Sequence, residues 1–159
     1  MTPHDIDSLA GFRAAVCAAA ADAVLQRSRR LLLVDPNFQD WPLEEPALLD
    51  ALAAFVRLPD RRVVLLGRRF DGVARTCPRF VVWRQTWGHA VDACRPVDDA
   101  VQLPTILLVD KRVAVRVIDP VHWRGRVLVT EPGVALLADE LDAFVQRSEP
   151  TFGASTLGL

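Results

Sequence analysis

This sequence has no excess charge of either sign, no recognisable metal-ligand spacing, no glycine-rich phosphate loop and no long apolar run. Lys and Arg number 19 against 20 Asp and Glu, a net charge of −1 over 159 residues. The whole-molecule field therefore offers no argument for nucleic acid or an anionic membrane as partner, and any anion site has to be built locally. Lysine occurs once, at Lys111, and cysteine three times, at Cys17, Cys77 and Cys94, never as CxxC. An odd, scattered set fits neither a disulfide framework nor structural zinc and points to reduced thiols in a cytoplasm. Cys17, set among alanines, reads as core packing. HxxxH, HExxH, GxxxxGK[ST] and GxGxxG are all absent, so no metal and no nucleotide cofactor are expected. Asp35, Asp40 and Glu44 read as a solvated loop ahead of a helix in preference to a Mg²⁺ cluster. The run Ala14 to Ala21 is too short to span a bilayer, and Thr2-Pro3-His4-Asp5 opens no leader peptide, so a soluble chain without membrane insertion is expected.

What is present is alternation of strand and helix signals, in one domain over residues 1–149 followed by a Gly, Ser and Thr-rich tail, 150–159. Asp7 or Ser8 caps a helix whose Leu9, Phe12, Val16, Ala20 and Val24 recur every three or four residues, with Arg27, Arg29 and Arg30 at its favourable end. Leu31 to Val34 is a buried strand stopped by Asp35-Pro36-Asn37 and followed by a long polar loop. Glu44 to Arg57 is a second helix, with Leu48, Leu49, Leu52, Phe55 and Val56 on one face. Arg61 to Gly67 is the next buried strand, and strand, helix, strand implies a right-handed crossover with parallel neighbours. Arg68 to Thr76 reads as a short helical connection, Phe80 to Trp83 as a third strand, and the stretch through Gly88 and Asp92 to Asp99 as irregular. Gly133 to Arg147 closes the domain as a helix, after one more strand at Arg126 to Val129. The tail is either frayed or docked through Leu157 and Leu159. The expected class is α/β, a mixed, largely parallel sheet with helices on both faces.

The chain is organised around Leu103 to Asp119, LPTILLVDKRVAVRVID. Ile106 to Val109 is apolar, Asp110-Lys111-Arg112 turns, and Val113, Val115 and Val117 alternate with Ala114, Arg116 and Ile118, which predicts a hairpin at the centre of the sheet. Leu103, Thr105 and Asp110 occupy the spacing of an HxKxxxxD motif, and LLLVDPNFQDWPL followed by the leucine-rich helix and RRVVLLG completes a strand, loop, helix and strand. In this, most of the chain resembles the phospholipase D superfamily. The resemblance implies a single half of that fold. It also implies a site in which a histidine attacks phosphorus, a lysine holds the phosphate and the aspartate supports the histidine. Here only Asp110 remains. Leucine cannot attack phosphorus and threonine carries no fixed positive charge, so nucleophile and phosphate clamp are both missing. The family's downstream Gly-Ser and Asn positions are unmatched, with Val117, Ile118 and Asp119 standing nearby. Asp110 alone is weak evidence, because an aspartate in a tight turn is commonly turn chemistry.

A second group, Arg84, Trp87 and His89, gathers at one strand end if Phe80 to Trp83 is a strand, and His122-Trp123-Arg124 can converge on the same edge. Guanidinium forks and indole faces suit an anion or a planar ligand; the bland alternative makes the tryptophans packing and His89 a satisfied loop residue. The expectation is a catalytically inactive phospholipase D-like domain, a homodimer by analogy with single-motif members. It would bind an anionic small molecule or an acidic protein segment through Arg84, Trp87, His89, Asp110, Trp123 and Arg124, with no catalytic residues. Two alternatives remain. One is an enzyme built on Arg84, His89, His122 and Arg124, which a histidine held by a carboxylate in a deep pocket would favour. The other is a nucleic-acid module whose clusters Arg27–Arg30, Arg61–Arg62 and Arg68–Arg69 would have to form one stripe.

Overall fold

A computed structural model of the chain describes residues 1–153. The elements are β1 (His4–Ile6), α1 (Leu9–Leu25), β2 (Arg30–Asp35), α2 (Pro46–Arg57), β3 (Arg62–Gly67), α3 (Asp71–Thr76), α4 (Pro78–Thr86), β4 (Val91–Pro96), β5 (Thr105–Val109), β6 (Val113–Asp119), β7 (Arg124–Val129), α5 (Pro132–Gln146) and β8 (Ser148–Pro150). The strands form one sheet in the order β1-β7-β6-β5-β2-β3-β4-β8. It is mixed α/β as expected but not largely parallel, since parallel pairing is confined to β2–β3 and β3–β4 and the other pairings are antiparallel.

Why β2, β3 and β5 read as unbroken apolar runs is plain from the layering. Leu31, Leu33, Val63, Leu65, Leu107 and Val109 face α1, α2, α3 and α4, while Leu32, Val34, Val64, Leu66, Ile106 and Leu108 face α5. Strands covered on both faces have no polar side to show. β6 is different: Val113, Val115 and Val117 are buried on the first face, but α5 does not reach the far flank, so Arg116 and Ile118 on the second face are exposed.

The central hairpin, the first and second helices, the two parallel strands and the closing helix lie where the sequence placed them. Ser8 caps α1, its Oγ accepting the Gly11 N–H at 3.0 Å. The arginines expected at that helix's end lie beyond it, Arg27 in a left-handed turn (φ 53°) and Arg30 as the first residue of β2. Phe80 to Trp83 is not a strand. Pro78 starts a helix there, Glu44 Oε1 accepts the Phe80 N–H in its first turn at 3.0 Å, and Phe80, Trp83 and Arg84 form its buried side. Four apolar residues cannot separate the two periods, and this capping decides it. The third parallel strand is β4, inside the stretch read as irregular; Asp92, Arg95 and Pro96 disguise it, and its apolar side chains alternate only on the helix-covered face.

The loop from Pro36 to Glu45 is polar in part only. Phe38, Trp41 and Leu43 are buried, Phe38 at φ 56°, and the rings run in a chain from Trp41 to Phe38 (5.2 Å), Phe38 to Phe70 (5.5 Å) and Phe70 to Phe152 (5.1 Å). This chain continues past the expected domain edge, since Ser148–Pro150 pairs with Cys94–Pro96 as an edge strand. Leu157 and Leu159 lie outside the described residues.

Candidate functional site

Strand direction decides which side chains can share a site. β2, β3 and β4 run one way and β5 runs against β2, so the carboxyl ends of the three parallel strands lie beside the start of β5, the end of β6 and the start of β7. In open α/β sheets this is the end at which ligands are usually taken.

At that end Asp35 is 7% exposed and fully engaged. Its Oδ2 accepts the N–H groups of Asn37 at 3.0 Å and Phe38 at 2.7 Å, and its Oδ1 accepts the Thr105 hydroxyl at 2.5 Å. Leu103, 8% exposed, packs into the core under α5. A hollow of about 400 Å³ opens beside them, lined by Leu103, Thr105, Arg116 and Ile118 among others. Arg68 is committed elsewhere, donating to the carbonyls of Val101 (2.5 Å) and Asp98 (3.1 Å) and so fastening the segment before β5. Asp119 accepts the N–H groups of Val121 and His122, and its Oδ2 lies 2.8 Å from His122 Nδ1. The His122 bond, then the backbone N–H groups, hold the Asp119 carboxyl below the usual range. The histidine is therefore carried by a carboxylate, but its side chain is 67% exposed on a surface turn and not in a deep pocket. Trp123 turns inward from the same loop onto Phe12, ring centres 5.1 Å apart.

The opposite, amino end carries Asp110. Its Oδ1 accepts the N–H groups of Arg29 (3.0 Å) and Arg30 (2.9 Å), and its own N–H donates to the Arg30 carbonyl at 3.0 Å. It braces the start of β2 from a left-handed turn position (φ 50°). On the same end a hollow of about 620 Å³ is lined by Arg57, Arg61, Arg62, Trp87 and His89, together with Asp60. Arg61 donates to the carbonyls of Pro59 and Arg27, and Arg62 to that of His89 at 2.8 Å, with Asp92 3.5 Å away. Arg61 is thus oriented by carbonyl oxygens, while Arg62 is shared between the His89 carbonyl and the Asp92 carboxylate. Trp87 and His89 lie 5.8 Å apart, centre to centre.

The six residues expected to share one cleft are divided by this geometry. Trp87 and His89 line the amino-end hollow, and Asp110 is an internal brace at that end. Trp123 and Arg124 stand at the carboxyl end. Arg84, expected at a strand end, is a helical residue 6% exposed at the β4 edge, where it lines a separate cavity of about 310 Å³. The enzyme alternative fails to assemble for the same reason, with His89 and His122 at opposite ends of the sheet. The arginine stripe divides as well: Arg27, Arg29, Arg61 and Arg62 gather at the amino end, joined by Arg57, which sequence reading passed over, while Arg68 and Arg69 follow the carboxyl end of β3. Asp35, Asp40 and Glu44 serve separate partners, Asp40 through its carbonyl to Arg13. Among the described residues no group of three or more His, Cys, Asp or Glu could hold a metal ion, and no helix is long and apolar enough to cross a membrane. The Asp35–Thr105 pair was also missed. Its signal was the Asp-Pro-Asn step, in which an aspartate caps the following turn through its own side chain.

No protein-family profile and no curated protein matches the chain. Solved structures do resemble it. TrmBL2, an archaeal chromatin protein described as showing a novel mode of DNA binding, superposes with a TM-score of 0.66 at 11% identity, over 95% of this chain and 54% of that one. The chain thus spans about half the length of TrmBL2. Nuc from Salmonella typhimurium, a phospholipase D family member, gives 0.59 at 12% identity, over 94% of this chain and 99% of Nuc. The phosphatidylserine synthase of Haemophilus influenzae Rd KW20 gives 0.54 at 14% identity, over 96% and 40%. At these identities the likeness is one of fold, and the fold of this chain is phospholipase D-like.

Proposed function

We propose that this is a phospholipase D-like domain that binds an anionic ligand and does not cleave phosphodiesters. One observation carries the reading. In the frame where the superfamily would place its histidine and lysine, Leu103 is buried in the core and the Thr105 hydroxyl is spent on Asp35. A nucleophile and a fixed cation are both needed to stabilise a phosphoryl transition state, and neither side chain can serve. His122, although oriented by Asp119, does not replace them, since it stands on an exposed turn and not in a pocket that could hold a phosphodiester.

Binding is assigned to the amino-end hollow, where Arg57, Arg61 and Arg62 surround Trp87 and His89. The Arg61 guanidinium, held by carbonyls, keeps its charge and presents it in a fixed direction, and with Arg57 and Arg62 beside it this favours carboxylate or phosphate oxygens. An acidic protein segment or a small anion is the first expectation. A nucleic acid is the second reading, favoured by the convergence of the arginines beside an indole and by the DNA-binding description of TrmBL2.

The test has a catalytic arm and a binding arm. Purified protein should leave bis(p-nitrophenyl) phosphate and phosphatidylcholine intact; turnover that survives repurification and disappears in His122→Ala would overturn the non-catalytic reading. In fluorescence anisotropy, an acidic peptide or a single-stranded oligonucleotide should bind wild type and lose about tenfold or more in the Arg57→Ala/Arg62→Ala variant. If the oligonucleotide is the tighter ligand, its log Kd should change with log salt by roughly 2 units per decade, as expected for two or three phosphate contacts.

A further inference from the structure

α4 places an arginine where a helix of this kind would carry a leucine. Its buried side is Phe80, Trp83 and Arg84, at the spacing i, i+3, i+4 that faces a sheet, and Arg84 is 6% exposed. Its Nε and Nη1 are buried without a hydrogen-bond partner among the described residues. A guanidinium taken from water and left unmatched is among the least favourable side chains to bury. The charge nearest it in effect is Asp92, which lies on the same strand edge, points to solvent and sits 3.5 Å from Arg62. Burial lowers the Arg84 pKa and Asp92 offsets only part of that.

Nη2 is the guanidinium nitrogen outside that buried set, so it is the atom through which a compensating anion could reach Arg84. β8 pairs only with Cys94–Pro96, so among the described residues the first half of β4 has no strand neighbour on that side beyond the Thr151 N–H, which reaches back to the Ala93 carbonyl at 2.9 Å. The gap between that bare half-strand, α4 and the end of α5 is the cavity of about 310 Å³. Besides Arg84 its lining includes the apolar Val64, Ala93, Cys94, Val145 and Pro150, with Asp92, Ser148 and Thr151 as its other polar members. Its size is at the small end for small-molecule sites, and its walls are largely hydrocarbon with a single buried cation among them.

We propose that this edge cavity binds a small monocarboxylate with an apolar body, such as a medium-chain aliphatic or aromatic acid, its carboxylate on Arg84 and its hydrocarbon against Val64, Ala93, Val145 and Pro150. The solvated Asp92 at the rim disfavours dianions, so inorganic phosphate is a poor ligand here. This site is separate from the amino-end hollow and stands or falls without it.

The experiment uses the full chain with hexanoate and benzoate as probes, and acetate and inorganic phosphate as controls. Calorimetry should show binding of the first two, with acetate at least about tenfold weaker because it leaves the apolar walls uncovered. Cys94 lines the cavity, so hexanoate should slow its alkylation by N-ethylmaleimide while Cys17 and Cys77 are unaffected, a readout that places the ligand. Arg84→Met keeps the stem and removes the charge. It should bind hexanoate about tenfold or more weakly, the loss expected for one charge-assisted contact, without lowering the melting temperature of the free protein. Val145→Phe fills the cavity and should abolish binding with Arg84 still in place, which decides the matter even if Arg84→Met fails to fold. Absence of both binding and Cys94 protection at millimolar hexanoate would overturn the proposal, and so would undiminished binding by Arg84→Met or Val145→Phe.

Discussion

Asp110→Ala tests the assignment of this aspartate to the fold and not to a site. In the folded chain its carboxylate takes two backbone N–H groups, from Arg29 and Arg30, and these open the central strand β2. Hydrogen bonds to a charged group contribute about 1.5 to 3 kcal/mol each. Asp110 is half-buried, so water recovers part of the loss, and the two together are worth about 2 to 4 kcal/mol. Alanine also has to adopt the left-handed conformation, φ 50°, at a cost of about 1 kcal/mol or a little more. The sum is about 3 to 5 kcal/mol, which at roughly 2 to 4 °C per kcal/mol for a chain of this size lowers Tm by about 6 to 20 °C. Two companions separate the terms. Asp110→Gly removes the hydrogen bonds but not the conformational freedom, and should be about 1 kcal/mol less damaging than alanine. Asp110→Asn keeps an acceptor oxygen and tolerates the left-handed region, and should cost about 1 to 2 kcal/mol. Urea titration at unchanged m-value reads all three. An alanine variant of wild-type stability that has lost ligand binding would refute the reasoning and return Asp110 to a site.

Gly125→Ala should be worse still: a Cβ there would stand 2.0 Å from the Arg116 carbonyl oxygen, at the irregular pairing between Val117 and Asp119, so a loss of about 3 kcal/mol or failure to fold is expected in urea titration. Cys17 offers a pH test. Burial first, and then the Glu45 carboxylate, raise its thiol from 9.0 to about 11, so its alkylation at pH 8 should run about a hundredfold slower than that of an ordinary exposed thiol, followed by mass spectrometry. The raised pKa favours the folded state below pH 9, and the contribution is lost as pH rises to about 11. The Tm difference between wild type and Cys17→Ala should therefore drift against wild type across that window and stay constant below it.

The fold was legible wherever burial wrote a long enough pattern. Leu31 to Val34, Arg61 to Gly67 and the 106–118 hairpin are covered on one or both faces, and their runs and alternations follow directly from that cover. The three-residue edge strands β1 and β8 were invisible because three residues cannot express a period. Phe80 to Trp83 misled for the opposite reason: its β-branched and aromatic residues favour a strand locally, and Pro78 with the distant Glu44 carboxylate overrides them. The error moved Arg84 from a strand end to a helix face, and with it the centre of the expected site.

The division of the HxKxxxxD frame has a geometric cause that spacing alone cannot reveal. Thr105 begins β5 and Asp110 follows its last residue, so the two stand at opposite ends of the strand, roughly 17 Å apart at 3.4 Å per residue. The frame therefore joins two different physical duties. Its last position holds backbone together at the amino end, where a short acceptor that tolerates φ above zero is needed whatever the chain does. Its first two positions face the carboxyl end, where the parallel strands open and chemistry would be done. On the proposed reading a chain that stops turning over phosphodiesters is free to replace those two, and the replacements here turn them to structural use: Leu103 fills the α5-side core, and Thr105 satisfies the buried carboxylate of Asp35. Retention of an aspartate in such a frame is thus evidence about the strand it braces, and the chemistry has to be judged at the other end.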